Sequence, residues 1–133
     1  MKFSKLYITA IIFGLIGAAT GAFAGGFMAD AACDGGLECL GVVFIGVGLE
    51  GILVESGLMS LAVHRANQKR GSLLLTFLPT LTLAVPIPFA LFLGYAAPLA
   101  ILLFLFQAWV CVKVQIAASN RKRAGRRVRS RSR

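Results

Sequence analysis

Charge is scarce in this sequence, and acidic charge is scarcer still. Only 14% of its 133 residues are charged, against about a quarter in ordinary soluble domains. Five are acids, one residue is a histidine and three are cysteines. Such a chain offers no Ser–His–Asp set, no glycine-rich phosphate loop and no cluster of His, Cys and carboxylates at metal-ligand spacing. His64, the lone histidine, has no nucleophile or metal partner close by in sequence. These absences argue against an enzyme, a resident metal and a bound cofactor. No selectivity-filter motif and no repeat between the two halves is visible either.

What the sequence has in abundance is apolar surface: 58% of residues are hydrophobic and the mean hydropathy is +0.83. A soluble fold of this length could not hide so much, so the bilayer is the natural solvent. A helix needs about 20 apolar residues to cross the hydrocarbon core. Four segments meet that length: 6–28 (LYITAIIFGLIGAATGAFAGGFM), 40–63 (LGVVFIGVGLEGILVESGLMSLAV), 72–94 (SLLLTFLPTLTLAVPIPFALFLG) and 98–118 (PLAILLFLFQAWVCVKVQIAA). The expected fold class is therefore an all-α integral membrane protein of four transmembrane helices, spanning 1–118, followed by a basic disordered cytoplasmic tail, 119–133. The short GYAAP turn makes segments three and four a tight hairpin.

Charge placement orients the bundle. The acids Asp30, Asp34, Glu38, Glu50 and Glu55 all fall between residues 30 and 55, whereas Lys2, Lys5, Arg65, Lys69, Arg70 and eight tail residues are basic. Basic loops stay cytoplasmic, which predicts both termini inside, in a bacterial inner membrane. Ala22-Phe23-Ala24 before Gly25 also has the form of a secretory cleavage site. Its apolar run is longer than the 7–15 residues of a signal h-region. The expectation is a retained first helix, with cleavage after residue 24 as the competitor.

Glycines and prolines set the expected contacts. Gly17, Gly21 and Gly25 recur every fourth residue, a groove that lets another helix approach closely. Contact within one chain is the simpler reading and a homo-oligomer seam the sharper one. Pro79, Pro86 and Pro88 each remove a helical hydrogen bond, so segment three should kink, with Thr76, Thr80 and Thr82 at hand to bond freed carbonyls. Cys33 and Cys39 bracket the loop CDGGLEC on the expected outer side, where a disulfide is favoured over free thiols. A metal loop using Asp34 and Glu38 is the weakest alternative, because the spacing matches no zinc pattern. Cys111 reads as a small core residue.

Glu50 and Glu55 are the chemically distinctive residues. A carboxylate at mid-membrane costs about 2.5–3.5 kcal/mol on insertion scales and is normally turned toward protein or water. At 100° per residue they point to different faces of a central helix two. Depth counted from the outer helix ends pairs Glu50 with Gln107, and Glu55 with Lys113. That assigns Glu50 to a polar cavity and Glu55 to structural glue.

The loop after segment two reads Val63-His64-x-Ala66-Asn67-x-x-Arg70-Gly71. It resembles a pattern in small bacterial polytopic membrane proteins, and the resemblance implies no activity. The tail bases Arg121, Lys122, Arg123, Arg126, Arg127, Arg129, Arg131 and Arg133 point to anionic lipid headgroups, each contributing ~1 kcal/mol near such a surface. An acidic partner subunit or RNA is the alternative. No aromatic is interleaved among these bases, which weakens a nucleic-acid role. Taken together, the expectation is a non-enzymatic accessory, scaffold or assembly subunit of a larger membrane complex, or a self-associating protein. A small proton- or cation-coupled transporter or channel using Glu50 or Glu55 is the runner-up, and a holin-like membrane-permeabilising protein the third reading.

Overall fold

The computed structural model describes residues 3–33, 36–68, 71–94 and 96–131, with side chains beyond 121 and at 37, 38, 40 and 92 not described. These residues form five helices: α1 (Phe3–Ala31), α2 (Leu37–Ala66), α3 (Leu73–Ala84), α4 (Pro86–Phe92) and α5 (Ala97–Arg131). Four stretches are long and apolar enough to cross a membrane: Phe3–Ala31, Gly41–Ala66, Leu73–Leu91 and Ala97–Arg121. Large apolar side chains lie on the outside of the bundle, among them Leu74, Phe23 and Leu78, at 76%, 71% and 65% exposure. Such a surface suits hydrocarbon rather than water. The chain is a multi-pass membrane protein by these criteria.

The third span is interrupted, as its prolines predict. α3 ends at Ala84 and α4 starts at Pro86, whose missing N–H cannot bond the carbonyl four residues back. Val85 between them keeps helical dihedrals (φ −53°, ψ −46°), so the chain resumes helix at once. The threonines do not play the expected part. Thr76, Thr80 and Thr82 bond the carbonyls of Ser72, Thr76 and Leu78. None of these is a carbonyl that Pro79, Pro86 or Pro88 leaves free, which are those of Leu75, Thr82 and Ala84.

α1 and α2 pack antiparallel along the glycine face of α1. A Cβ placed on Gly17 would lie 2.6 Å from the Cα of Glu55, one on Gly21 2.5 Å from the carbonyl oxygen of Glu50, and one on Gly25 2.5 Å from that of Gly46. Backbone meets backbone along three turns, a closeness that only residues without a side chain permit. α2 also contacts α3 and α5, and α5 packs on α1, α3 and α4. α1 and α3 thus run one way and α2 and α5 the other. Toward one end, Leu6, Ala10, Met59, Val63, Ala108 and Val112 form the main core. Toward the other, Ile87, Ala90 and Ala100 pack with Leu103 and Phe104.

Two loop features complete the frame. Cys33 and Cys39 lie at disulfide distance, with Cα atoms 5.7 Å apart, inside the range a disulfide requires; Asp34 of the alternative metal loop lies outside the described residues. α5 continues through Arg131, so the described backbone runs on as helix past the membrane-length stretch. Helix propagation adds one hydrogen bond per residue once a nucleus exists. The membrane segment is that nucleus, and Arg, Lys and Ala all favour extension.

Candidate functional site: a buried polar column

Polar residues recur every fourth position on three helices. α5 carries Gln107, Cys111, Gln115 and Ser119; α2 carries Ser56, Ser60 and His64; α3 carries Thr76 and Thr80, one turn after Ser72. Residues four apart share a helix face, and these faces converge. Glu55, Ser56, Ser60, Thr76, Thr80, Gln107, Cys111 and Gln115 are all at most 4% exposed. Together they form a polar column inside an otherwise apolar bundle.

One end of the column is closed by hydrogen bonds. Gln115 Nε2 and His64 Nδ1 are paired at 2.9 Å. The Thr76 hydroxyl lies 2.5 Å from Gln115 Oε1 and 2.8 Å from the Ser72 carbonyl. Gly71 is buried here against the Gln115 carboxamide, which a Cβ on residue 71 would overlap. This glycine therefore answers to close approach, beyond ending a helix.

The middle of the column is different. Cys111 lies beside Thr80 and Ser60, and one turn further along Glu55 faces Gln107. Among the described residues, Glu55 Oε1, Ser56 Oγ, Ser60 Oγ and both polar atoms of the Gln107 amide are buried without a hydrogen-bond partner. Glu55 and Gln107 thus face each other without hydrogen-bond geometry. Beyond them, Phe104 and the apolar cluster of Ile87, Ala90 and Ala100 occupy the bundle interior. The polar column thus ends at a carboxylate on this side.

These contacts correct the pairing by depth. Gln107 faces Glu55 rather than Glu50, and Lys113 is not Glu55's partner. Lys113 is exposed, with its ammonium 5.2 Å from the Trp109 ring centroid and 5.6 Å from that of Phe3, a cation–π setting. Counting from helix starts fails because α2 and α5 do not start level. With Glu55 opposite Gln107, Ala97 lies level with residue 45. The first eight residues of α2 then project about 12 Å beyond α5, at 1.5 Å per residue. Glu50 is half-buried, and its backbone rests on Gly21. Of the two acids, Glu55 and not Glu50 faces the polar interior.

Gly17, Gly21 and Gly25 lie together on the α1–α2 seam, and Arg121 is exposed at the end of the fourth membrane-length stretch. The side chains of Lys122, Arg123, Arg126, Arg127, Arg129, Arg131 and Arg133 fall outside the described residues. Sequence reasoning missed Ser56, Cys111 and Gln115 as members of one site. The available signal was the four-residue polar spacing shared by segments two, three and four. No protein-family model, no curated protein and no solved structure matches this chain.

Proposed function

We propose that this chain is a small ion-coupled membrane protein in which Glu55 carries or exchanges the charge and the polar column is its route to one membrane face. The observation behind this reading is Glu55 itself, 4% exposed in a membrane-spanning helix with Oε1 unpartnered. A buried polar group left unbonded costs about 1–3 kcal/mol. A fold that keeps several of them at one spot calls for a reason, and an intramembrane acid is by default a functional residue. In this reading, by the positive-inside rule, the His64–Gln115 end and both termini face the cytoplasm, and the membrane is a bacterial inner membrane. The cysteine loop then faces the oxidising side. Reporter fusions at each terminus test that orientation.

The function is tested in proteoliposomes holding a pH-sensitive dye under an imposed cation or proton gradient. The native chain dissipates the gradient, Glu55→Gln abolishes that flux and Glu50→Gln retains it. Equal flux from native and Glu55→Gln protein overturns the reading.

One observation favours a second reading, an accessory or assembly subunit. An apolar groove of about 510 Å³ lies between α2, α3 and α4, lined by Phe44, Gly48, Ile52, Leu81 and Phe89 among others. Stable co-purification of larger subunits in mild detergent, with no flux from the isolated chain, decides for it.

A further inference from the structure

We propose that Glu55, Ser56, Ser60 and Gln107 form a binding site for one dehydrated monovalent cation, sodium, loaded from the His64–Gln115 end of the column. The proposal rests on the ion-coupled reading and names its ligand.

Glu55, Ser56 and Gln107 share a level, and Ser60 lies one turn away on the same face of α2 as Ser56. Ser60 lies beside Cys111, and α2 runs parallel to α5. One turn back along each helix brings Ser56 to the level of Gln107, which Glu55 faces. Each residue is at most 4% exposed, and each has an oxygen without a well-aligned hydrogen bond, Ser60 lying within reach of the Cys111 thiol and Glu55 within reach of the Gln107 amide.

The two serines are the more telling members. Buried helical hydroxyls normally bond a carbonyl in the preceding turn, and Thr76, Thr80 and Ser119 do so here. Ser56 and Ser60 do not. Ser56 Oγ is left available at the level of the carboxylate, and Ser60 Oγ one turn away beside the Cys111 thiol.

Donor chemistry selects the ion class. Carboxylate, hydroxyl and amide oxygens suit hard cations. Among the described residues no His, Cys, Asp and Glu cluster for a transition metal exists. A single carboxylate balances a single positive charge. Calcium takes 6–8 oxygens, commonly with several carboxylates, and magnesium keeps several waters; either would leave net charge in hydrocarbon. A bare proton on Glu55 engages one acceptor and leaves the serine hydroxyls unused, whereas a coordinated cation engages all four side chains. The apolar cluster around Ala100 seals the opposite end, so loading requires the Gln115 amide to swing from Thr76 and His64.

The test is thermal unfolding of the full chain in detergent, titrated with sodium chloride against choline chloride at constant ionic strength, with ²²Na⁺ binding alongside. Sodium raises the melting temperature of the native chain saturably. Glu55→Gln loses the effect, and Ser56→Ala/Ser60→Ala weakens apparent sodium affinity by about tenfold, the size of one or two lost ligand contacts. The same preparations are assayed for proton flux. Glu55-dependent proton flux with no sodium binding overturns the sodium site while leaving the ion-coupled reading intact. Absence of both sodium binding and flux overturns the two together. Sodium binding unchanged by Glu55→Gln overturns the site.

Discussion

Replacing glycine by alanine on α1 should have the opposite sign to the same change at the unobstructed glycines of α2. On α1, a Cβ at Gly17 would lie 2.6 Å from Glu55 Cα, and at Gly21 2.5 Å from the Glu50 carbonyl oxygen. Ordinary contact begins near 3.4 Å, so the two backbones must separate by roughly 0.8–0.9 Å. Both atoms met are backbone, so no rotamer change relieves the clash. A radial gap of 0.5–1 Å forfeits a quarter to a half of each dispersion contact across a seam. Overpacking typically costs about 1–3 kcal/mol. On α2, Gly41, Gly48 and Gly57 have nothing within 4 Å of an added Cβ. Alanine there gains helix propensity, up to about 1 kcal/mol. Reversible unfolding of the single variants in mixed micelles should show Gly17→Ala and Gly21→Ala destabilised by about 1–3 kcal/mol. Gly48→Ala and Gly57→Ala should be unchanged or slightly stabilised. Equal losses at both sets of positions would refute the backbone-contact seam.

Three further outcomes are expected. Gln115→Leu keeps the side chain's approximate size but removes its bonds to Thr76 and His64. Losing two hydrogen bonds worth about 0.5–1.5 kcal/mol each should destabilise the chain by about 1–3 kcal/mol, and chemical denaturation that shows no loss sinks the hydrogen-bonded closure. Cys33→Ser should abolish the mobility difference between reduced and non-reduced protein on gels; a difference that persists places the bond elsewhere. Deleting residues 122–133 should weaken capture of the detergent-solubilised protein on nanodiscs of anionic lipid more than of neutral lipid, and unchanged capture excludes a headgroup role for the tail.

The legible part of this protein is the part fixed by local chemistry. Four apolar runs of membrane length declare four spans, because hydrocarbon demands about 20 apolar residues from any helix that crosses it. The prolines after Ala84 declare a break, because Pro86 has no N–H to give. The Cys33–Cys39 loop is short enough to close on itself. Each of these follows from a residue and its immediate neighbours.

Glu55 shows what local chemistry leaves open. Its depth and face depend on where α5 starts relative to α2, and that offset is a property of neither helix alone. The glycine seam brings the α2 backbone against Gly17 and so fixes which way Glu55 points. The shared level of Ser60, Thr80 and Cys111 exists only once three helices meet. The sequence by itself determined the spans, the break and the charge asymmetry; tertiary structure decided which polar residues share a level. The reason is that hydropathy is summed along a chain, whereas a site is assembled across it.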